Sequence, residues 1–186
     1  MKKEYATLRR KPFLTPIWLA ALAAFVVVTF MVWLWGTATS TTVVLVRHAE
    51  KQLNSGEDPH LTAAGEARAA LLARMFGDIS GLGRLQAIYV SPTNRSRETA
   101  APLAAKLKLA ITVGPQDAPK VLVRQILREH QGGRVLVVGH SNTIPQMVAA
   151  LSGAQSVPLI FDEEYATMYI VNVPRVGHAS VLRLTY

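Results

Sequence analysis

Thr42-Val43-Val44-Leu45-Val46-Arg47-His48-Ala49-Glu50-Lys51 places an Arg-His pair directly after five residues that are β-branched or apolar. An apolar run of that length without alternation is the pattern of a strand covered on both faces, as in the parallel sheets of α/β domains. Polar side chains that follow such a strand stand at its carboxyl end, where open α/β sheets build their sites. Two further stretches follow the same grammar. Val135-Leu136-Val137-Val138-Gly139-His140-Ser141-Asn142-Thr143 delivers a second histidine, and Ala87-Ile88-Tyr89-Val90-Ser91-Pro92-Thr93-Asn94-Arg95-Ser96-Arg97-Glu98-Thr99 delivers arginines. Three strand ends therefore supply two imidazoles and at least two guanidiniums, a set suited to a nucleophile within a cage for phosphate.

Working outward, strands are expected near 42–46, 87–90, 111–113, 134–138, 167–173 and 179–184. The last two flank Pro174-Arg175-Val176-Gly177 as a hairpin. Between them, Thr62 reads as the cap of a helix to Met75 with a stripe of Ala67, Leu71, Leu72 and Met75. A second helix starts near Asn94, capped by Asn94 or Ser91 and kinked or started early by Pro102; others span 118–130, ended by Gly132-Gly133, and 144–151. This alternation predicts a three-layer α/β/α sandwich whose sheet is mostly parallel with an antiparallel edge.

The amino end is different in kind. No charged residue occurs from Phe13 to Gly36, and Ile17 to Trp35 is almost wholly apolar with Trp18, Trp33 and Trp35 at its ends. Ten Leu, Ile, Val or Phe residues in that stretch favour bilayer insertion by about 3 to 6 kcal/mol. The expected division is a basic leader at 1–12, a transmembrane anchor at 13–36 and a catalytic domain at 37–186. Lys2, Lys3, Arg9, Arg10 and Lys11 precede the span, and the first charge after it is Arg47. By the positive-inside rule the amino terminus faces the cytoplasm, and the domain lies outside the cytoplasmic membrane, in the periplasm of a Gram-negative cell. A signal peptide cleaved near Gly36-Thr37-Ala38 is the competing reading.

The net charge of +8 divides equally between leader and remainder. The domain is thus only mildly basic, and its arginines have a place in the phosphate site, so a nucleic-acid partner is not expected. With no cysteine in the chain, disulfides, thiol nucleophiles and cysteine metal sites are excluded. The spacing of the five histidines matches no metal site; His60, His130 and His178 read as loop, helix-end and turn residues. No cofactor is expected.

Arg47-His48-Ala49-Glu50, Leu61-Thr62-x-x-Gly65, Ser91-Pro92-x-x-Arg95-Ser96-x-x-Thr99 and Gly139-His140-Ser141-Asn142-Thr143 together resemble the histidine phosphatase superfamily, on its phosphoglycerate-mutase-like side. The resemblance implies that His48 is the nucleophile. Imidazole chemistry agrees, since an appreciable neutral fraction exists near pH 7 and neighbouring arginines disfavour protonation. Arg47 and Arg95 suit forked contacts to phosphate oxygens, His140 donates to another oxygen, and Asn142 or Ser141 adds a neutral donor.

The larger members of the family carry a glutamate between the second arginine and second histidine motifs, a stretch that is short here. The proton donor stays open among Glu163, Asp162, Glu50 and Asp117. Metal-independent hydrolysis of a phosphomonoester through a phosphohistidine on His48 is the expected activity. Its substrate would be a phosphorylated small molecule or an envelope phosphate ester. The alternatives are a protein phosphohistidine phosphatase and an anchored phosphate-binding module without catalysis.

Overall fold

A computed structural model describes residues 17–37, 39–53, 56–80 and 83–186, so the basic leader and the first residues of the expected anchor lie outside the described residues. The chain divides into an amino-terminal unit and a unit spanning Ala38–Tyr186. In the first, helix α1 (Ile17–Thr37) has every described side chain exposed, including Trp18 and Trp33. Its 21 residues reach about 31 Å at ~1.5 Å per residue, long and apolar enough to cross a membrane. The Thr29 hydroxyl donates to the Phe25 carbonyl at 2.7 Å, satisfying that polar group within the helix.

The second unit contains β1 (Ser40–Arg47), α2 (Ala63–Gly77), β2 (Ala87–Val90), α3 (Asn94–Leu107), β3 (Ile111–Val113), α4 (Pro119–Glu129), β4 (Arg134–Gly139), α5 (Thr143–Ser152), β5 (Thr167–Pro174) and β6 (Ser180–Thr185). The six strands form one sheet in the order β3-β2-β4-β1-β5-β6. The first four in that order are parallel, while β5 runs antiparallel to both its neighbours. The expected three-layer architecture with an antiparallel margin is therefore present.

Successive residues of β1 feed opposite cores. Val43 and Leu45 pack with Leu122, Ile126, Ile144 and Met147 of α4 and α5, whereas Val44 and Val46 pack with Leu72, Ala100 and Leu103 of α2 and α3. A strand with helices on both faces must be apolar throughout, and Val43 to Val46 are no more than 3% exposed.

Two local expectations are corrected. The buried face of α2 is Gly65, Ala69, Leu72 and Ala73, with Ala67 and Met75 exposed. The helix is turned so that Gly65 abuts the Glu50 backbone, leaving no room for a Cβ against the Glu50 carbonyl oxygen. Thr62 does cap this helix, its hydroxyl accepting the Gly65 amide at 3.2 Å. Neither Ser91 nor Asn94 caps α3: Thr93 occupies the cap position without a side-chain cap bond. The Asn94 N–H instead donates to both Asp58 carboxylate oxygens at 3.0 Å. Pro102 lies within α3 on its exposed side, and the helix continues to Leu107.

Register brings the strand ends to one level. Arg47 pairs with Gly139 across β1 and β4, and Val90 pairs with Val138 across β2 and β4. The His48 amide donates to the Gly139 carbonyl at 3.0 Å, and that of Ser91 to the Val138 carbonyl at 3.2 Å.

Candidate active site

That register sets the two histidine rings side by side. The His48 and His140 centroids are 5.2 Å apart, with the rings edge to face. His48 Nδ1 lies 2.8 Å from the Ala49 carbonyl oxygen. A carbonyl can only accept, so Nδ1 carries the proton and Nε2 keeps the lone pair. The Ala49 amide donates to Thr99 Oγ1 at 2.9 Å, and the Thr99 hydroxyl donates to the Arg95 carbonyl at 2.7 Å. Arg95 is the second residue of α3, after a turn pinned by the Ser91, Thr93 and Ser96 hydroxyls, with the Ser91 and Ser96 oxygens 2.6 Å apart.

Arg47 is 3% exposed. A strap formed by residues 158–166 holds it: Nη1 donates to the Phe161 and Asp162 carbonyls at 2.9 and 2.8 Å, and Nη2 pairs with Asp162 Oδ1 at 3.3 Å. The Tyr165 ring lies 4.4 Å from Arg47 Cζ and 6.0 Å from the His48 ring. Arg95 Nη1 pairs with Asp58 Oδ1 at 3.4 Å. The His140 amide donates to Thr143 Oγ1 at 3.0 Å, fixing the turn into α5.

Among the described residues, the buried side-chain polar atoms without a hydrogen-bond partner are Arg47 Nε, Arg95 Nε, His140 Nε2 and the Tyr186 hydroxyl. Three of the four belong to the strand-end cluster. A buried unpaired donor costs about 1–3 kcal/mol, so the two guanidinium Nε–H groups near His48 are suited to an acceptor, with His140 Nε2 as a further polar atom beside them. Two guanidiniums make an anion the fitting partner. No cluster of three or more His, Asp or Glu side chains suited to a metal occurs among the described residues.

Burial chiefly, with help from Arg47, His140 and Arg95, lowers His48 to a pKa of about 3 against the opposing Ala49 hydrogen bond. His140 is lowered to about 4, again by burial first and then by Arg95, Arg47 and Lys51. The sequence points to the arginines as the cause; desolvation is the larger one. Both rings are neutral at pH 7, so the His48 Nε2 lone pair is free without a base.

The remaining candidates separate cleanly. Glu50 is gripped by Arg68 through Nε at 3.0 Å and Nη2 at 2.6 Å, and Arg68 holds its carboxyl below the usual carboxylate range. Arg68 engages both Glu50 oxygens, whereas only Oδ1 of Asp162 is bonded, so Glu50 serves as a structural partner, contrary to its place among the candidates. Glu163 is exposed and borders a groove with Arg68 and Arg183, while Asp117 is exposed in the loop before α4. Asp162 alone of the four reaches the cluster, through Arg47 and a 3.2 Å bond from the Ser141 hydroxyl. Asn142 is exposed at the position that precedes α5, where its carbonyl accepts from Gln146; Ser141 is the neutral group that reaches Asp162. Among the other histidines, His60 pairs with Glu98, and His130 Nε2 lies 3.0 Å from the Tyr89 hydroxyl. Asp58, Thr99 and Tyr165 are site residues that sequence reasoning missed. Only Thr99 left a signal, as the last residue of its motif.

A sequence profile of the histidine phosphatase superfamily (branch 1) matches residues 43–116, taking in Arg47, His48 and Arg95. Residues 43–116 thus resemble the histidine phosphatase superfamily, and the fold of the domain is similar to that of solved histidine phosphatases. Among solved histidine phosphatase structures, the protein histidine phosphatase SixA complexed with tungstate superposes with a TM-score of 0.63 at 19% identity, covering 77% of this chain and 96% of that one. The mycobacterial glucosyl-3-phosphoglycerate phosphatase Rv2419c gives 0.61 at 16% identity, covering 76% and 97%. In sequence, the uncharacterized protein Rv0525 of Mycobacterium tuberculosis is 37% identical over 81 residues, 40% of this chain. The matched stretch spans 38% of that relative's length.

Proposed function

We propose that the domain is a phosphatase that transfers the phosphoryl group of a phosphomonoester to His48 Nε2 and then to water. One observation carries this reading: Arg47 Nε, Arg95 Nε and His140 Nε2 are buried without partners around the imidazole whose Nε2 holds a lone pair. Phosphoryl transfer depends mainly on positioning and charge neutralisation, which these groups supply. In the first step the Nε2–P bond forms as the ester P–O bond breaks, and the leaving oxygen takes a proton from Asp162. In the second, Asp162 takes a proton from water as the water oxygen attacks phosphorus, releasing phosphate and restoring neutral His48. A monoester carrying a phosphorylated small molecule or an envelope component fits a domain held outside the cytoplasm by α1 as a single-pass anchor, with the basic leader inside.

A second reading has support of its own. The Asp162 side chain is 83% exposed, a weak setting for a proton donor. A phosphohistidine substrate needs less help because its imidazole leaves readily once protonated. The fold likeness to the protein histidine phosphatase SixA points the same way.

The test uses the full chain in detergent with an aryl phosphate and with a phosphohistidine peptide, trapping the labelled intermediate at acid and alkaline pH. Turnover with an acid-labile, base-stable label that vanishes in His48→Ala is the expected result. An acid-stable label, or one persisting in His48→Ala, overturns the mechanism, and phosphate binding without turnover of either substrate leaves a binding module.

A further inference from the structure

We infer that the substrate of this site carries an uncharged, apolar organic group next to its phosphate; the inference rests on the phosphatase reading of the cage. Within the described part of 39–186, four large apolar side chains are more than three-fifths exposed: Leu53 at 79%, Leu159 at 70%, Val176 at 67% and Phe161 at 65%. Val176 belongs to the β5–β6 turn. The other three lie on the two segments that hold the cage arginines.

The strap is built for display. Ile160 is 5% exposed and packs with Val148, Leu151 and other members of the core cluster between the sheet, α4 and α5. Leu159 and Phe161 flank it and are left exposed on either side of the buried Ile160. The backbone is fixed there by its own polar groups. The Pro158 carbonyl accepts from the Tyr169 hydroxyl at 3.4 Å, and the Phe161 carbonyl accepts from Arg47 at 2.9 Å. Phe161 thus stands one peptide from the guanidinium that would hold phosphate.

Leu53 lies on the loop between Lys51 and Leu61, which a bridge between those two residues closes. This loop is tied to the other cage arginine through Asp58. Three large apolar side chains exposed on the two segments that hold the arginines offer an apolar group of a ligand something to pack against.

Charge narrows the class. Asp58 and Asp162 each set a carboxylate against one cage arginine, and Lys51 is the further cation close enough to act on His140. Arg95 and Arg47 are satisfied by a single phosphate, and the two carboxylates at the rim oppose a second anionic group. A monoester of an alkyl, prenyl or aryl alcohol fits; a bisphosphate or a phosphoglycerate does not. Such an ester reaches the site either as a soluble molecule or as a lipid phosphate in the bilayer.

The test places the full chain in nanodiscs and measures binding of methyl-, butyl- and hexylphosphonate, which cannot be hydrolysed. The dissociation constant is expected to fall about two- to fourfold per added methylene, and Leu159→Ser with Phe161→Ser is expected to flatten that slope. Turnover of butyl phosphate should exceed that of glucose 6-phosphate and 3-phosphoglycerate. Affinity independent of chain length, or a preference for the sugar or glycerate ester, overturns the inference. Length-dependent binding with no ester hydrolysed would leave it standing while removing the phosphatase reading. Hydrolysis of phosphatidic acid in the same disc identifies a membrane source, and turnover confined to short alkyl phosphates a soluble one.

Discussion

The Thr99 hydroxyl accepts the Ala49 amide at 2.9 Å and donates to the Arg95 carbonyl at 2.7 Å, joining the loop after His48 to the helix of the second arginine. Ala49 in turn supplies the carbonyl that fixes the His48 tautomer. Thr99→Val keeps the buried volume but strands the Ala49 amide, a loss of about 1–3 kcal/mol. Stability measured by denaturant unfolding should fall by that amount, and kcat should drop more than KM rises. Thr99→Ser should restore kcat. A Val variant with full kcat would show that the nucleophile's orientation is set elsewhere.

Stability should decline as pH falls below about 6.5. His48 and His140 sit at about 3 and about 4 when folded, below the ~6.5 of an unfolded histidine. The unfolded chain therefore binds more protons between those values, and each pH unit descended removes up to about 1.4 kcal/mol per ring. Above pH 6.5 neither ring contributes to a pH dependence. Thermal unfolding at pH 7, 6 and 5 checks this, with a smaller decline in His140→Gln. Binding an oxyanion should raise both values, so calorimetry of vanadate binding in two buffers should reveal proton uptake.

Asp58 engages Arg95 Nη1 and the first N–H of α3, at the rim of the proposed phosphate cage. For a half-exposed pair the attraction is worth about 0–1 kcal/mol. Asp58→Ala should therefore tighten vanadate inhibition by up to about fivefold while costing the helix cap about 0.5–2 kcal/mol of stability. Weaker inhibition in this variant would instead mean that Asp58 holds its loop in place over the phosphate.

If Asp162 protonates the leaving oxygen, its removal must matter most for poor leaving groups. Asp162→Asn is expected to lower kcat about 10²- to 10⁴-fold on an alkyl phosphate and far less on a nitrophenyl phosphate. Equal losses on both would show that Asp162 acts by holding Arg47 and Ser141.

Gly65 offers a contest between two effects. Alanine in an exposed helix gains about 1 kcal/mol over glycine, yet a Cβ here meets the Glu50 carbonyl oxygen. That oxygen also accepts the Thr62 amide at 2.9 Å. Overpacking against backbone costs about 1–3 kcal/mol, so Gly65→Ala should be destabilising in a denaturant melt and should slow turnover through the displaced Glu50–Arg68 pair.

Much of this domain is written locally. The unbroken apolar run before Arg47 states that the strand is covered on both faces, and the same grammar before Ser91 and Gly139 places three sets of polar groups at one end of the sheet. Hydrophobic period is a property of neighbouring residues and can be read without knowing what packs against them. The α2 stripe fails where that information ends. Ala67 and Met75 suit a helix face by period, but contact with the Glu50 backbone chooses Gly65, Ala69, Leu72 and Ala73 instead.

The sequence by itself determined the alternation of strands and helices, the histidines and arginines at the strand ends, and one helix long enough to span a bilayer. Tertiary structure decided which carboxylates reach the cluster, which residue holds the Ala49 amide, and that burial rather than the arginines dominates the two lowered imidazoles. The physical reason is reach. A hydrogen bond selects its partner by position in space, and Asp58, Thr99 and Asp162 stand 36, 50 and 115 residues from the Asn94, Ala49 and Arg47 groups they engage.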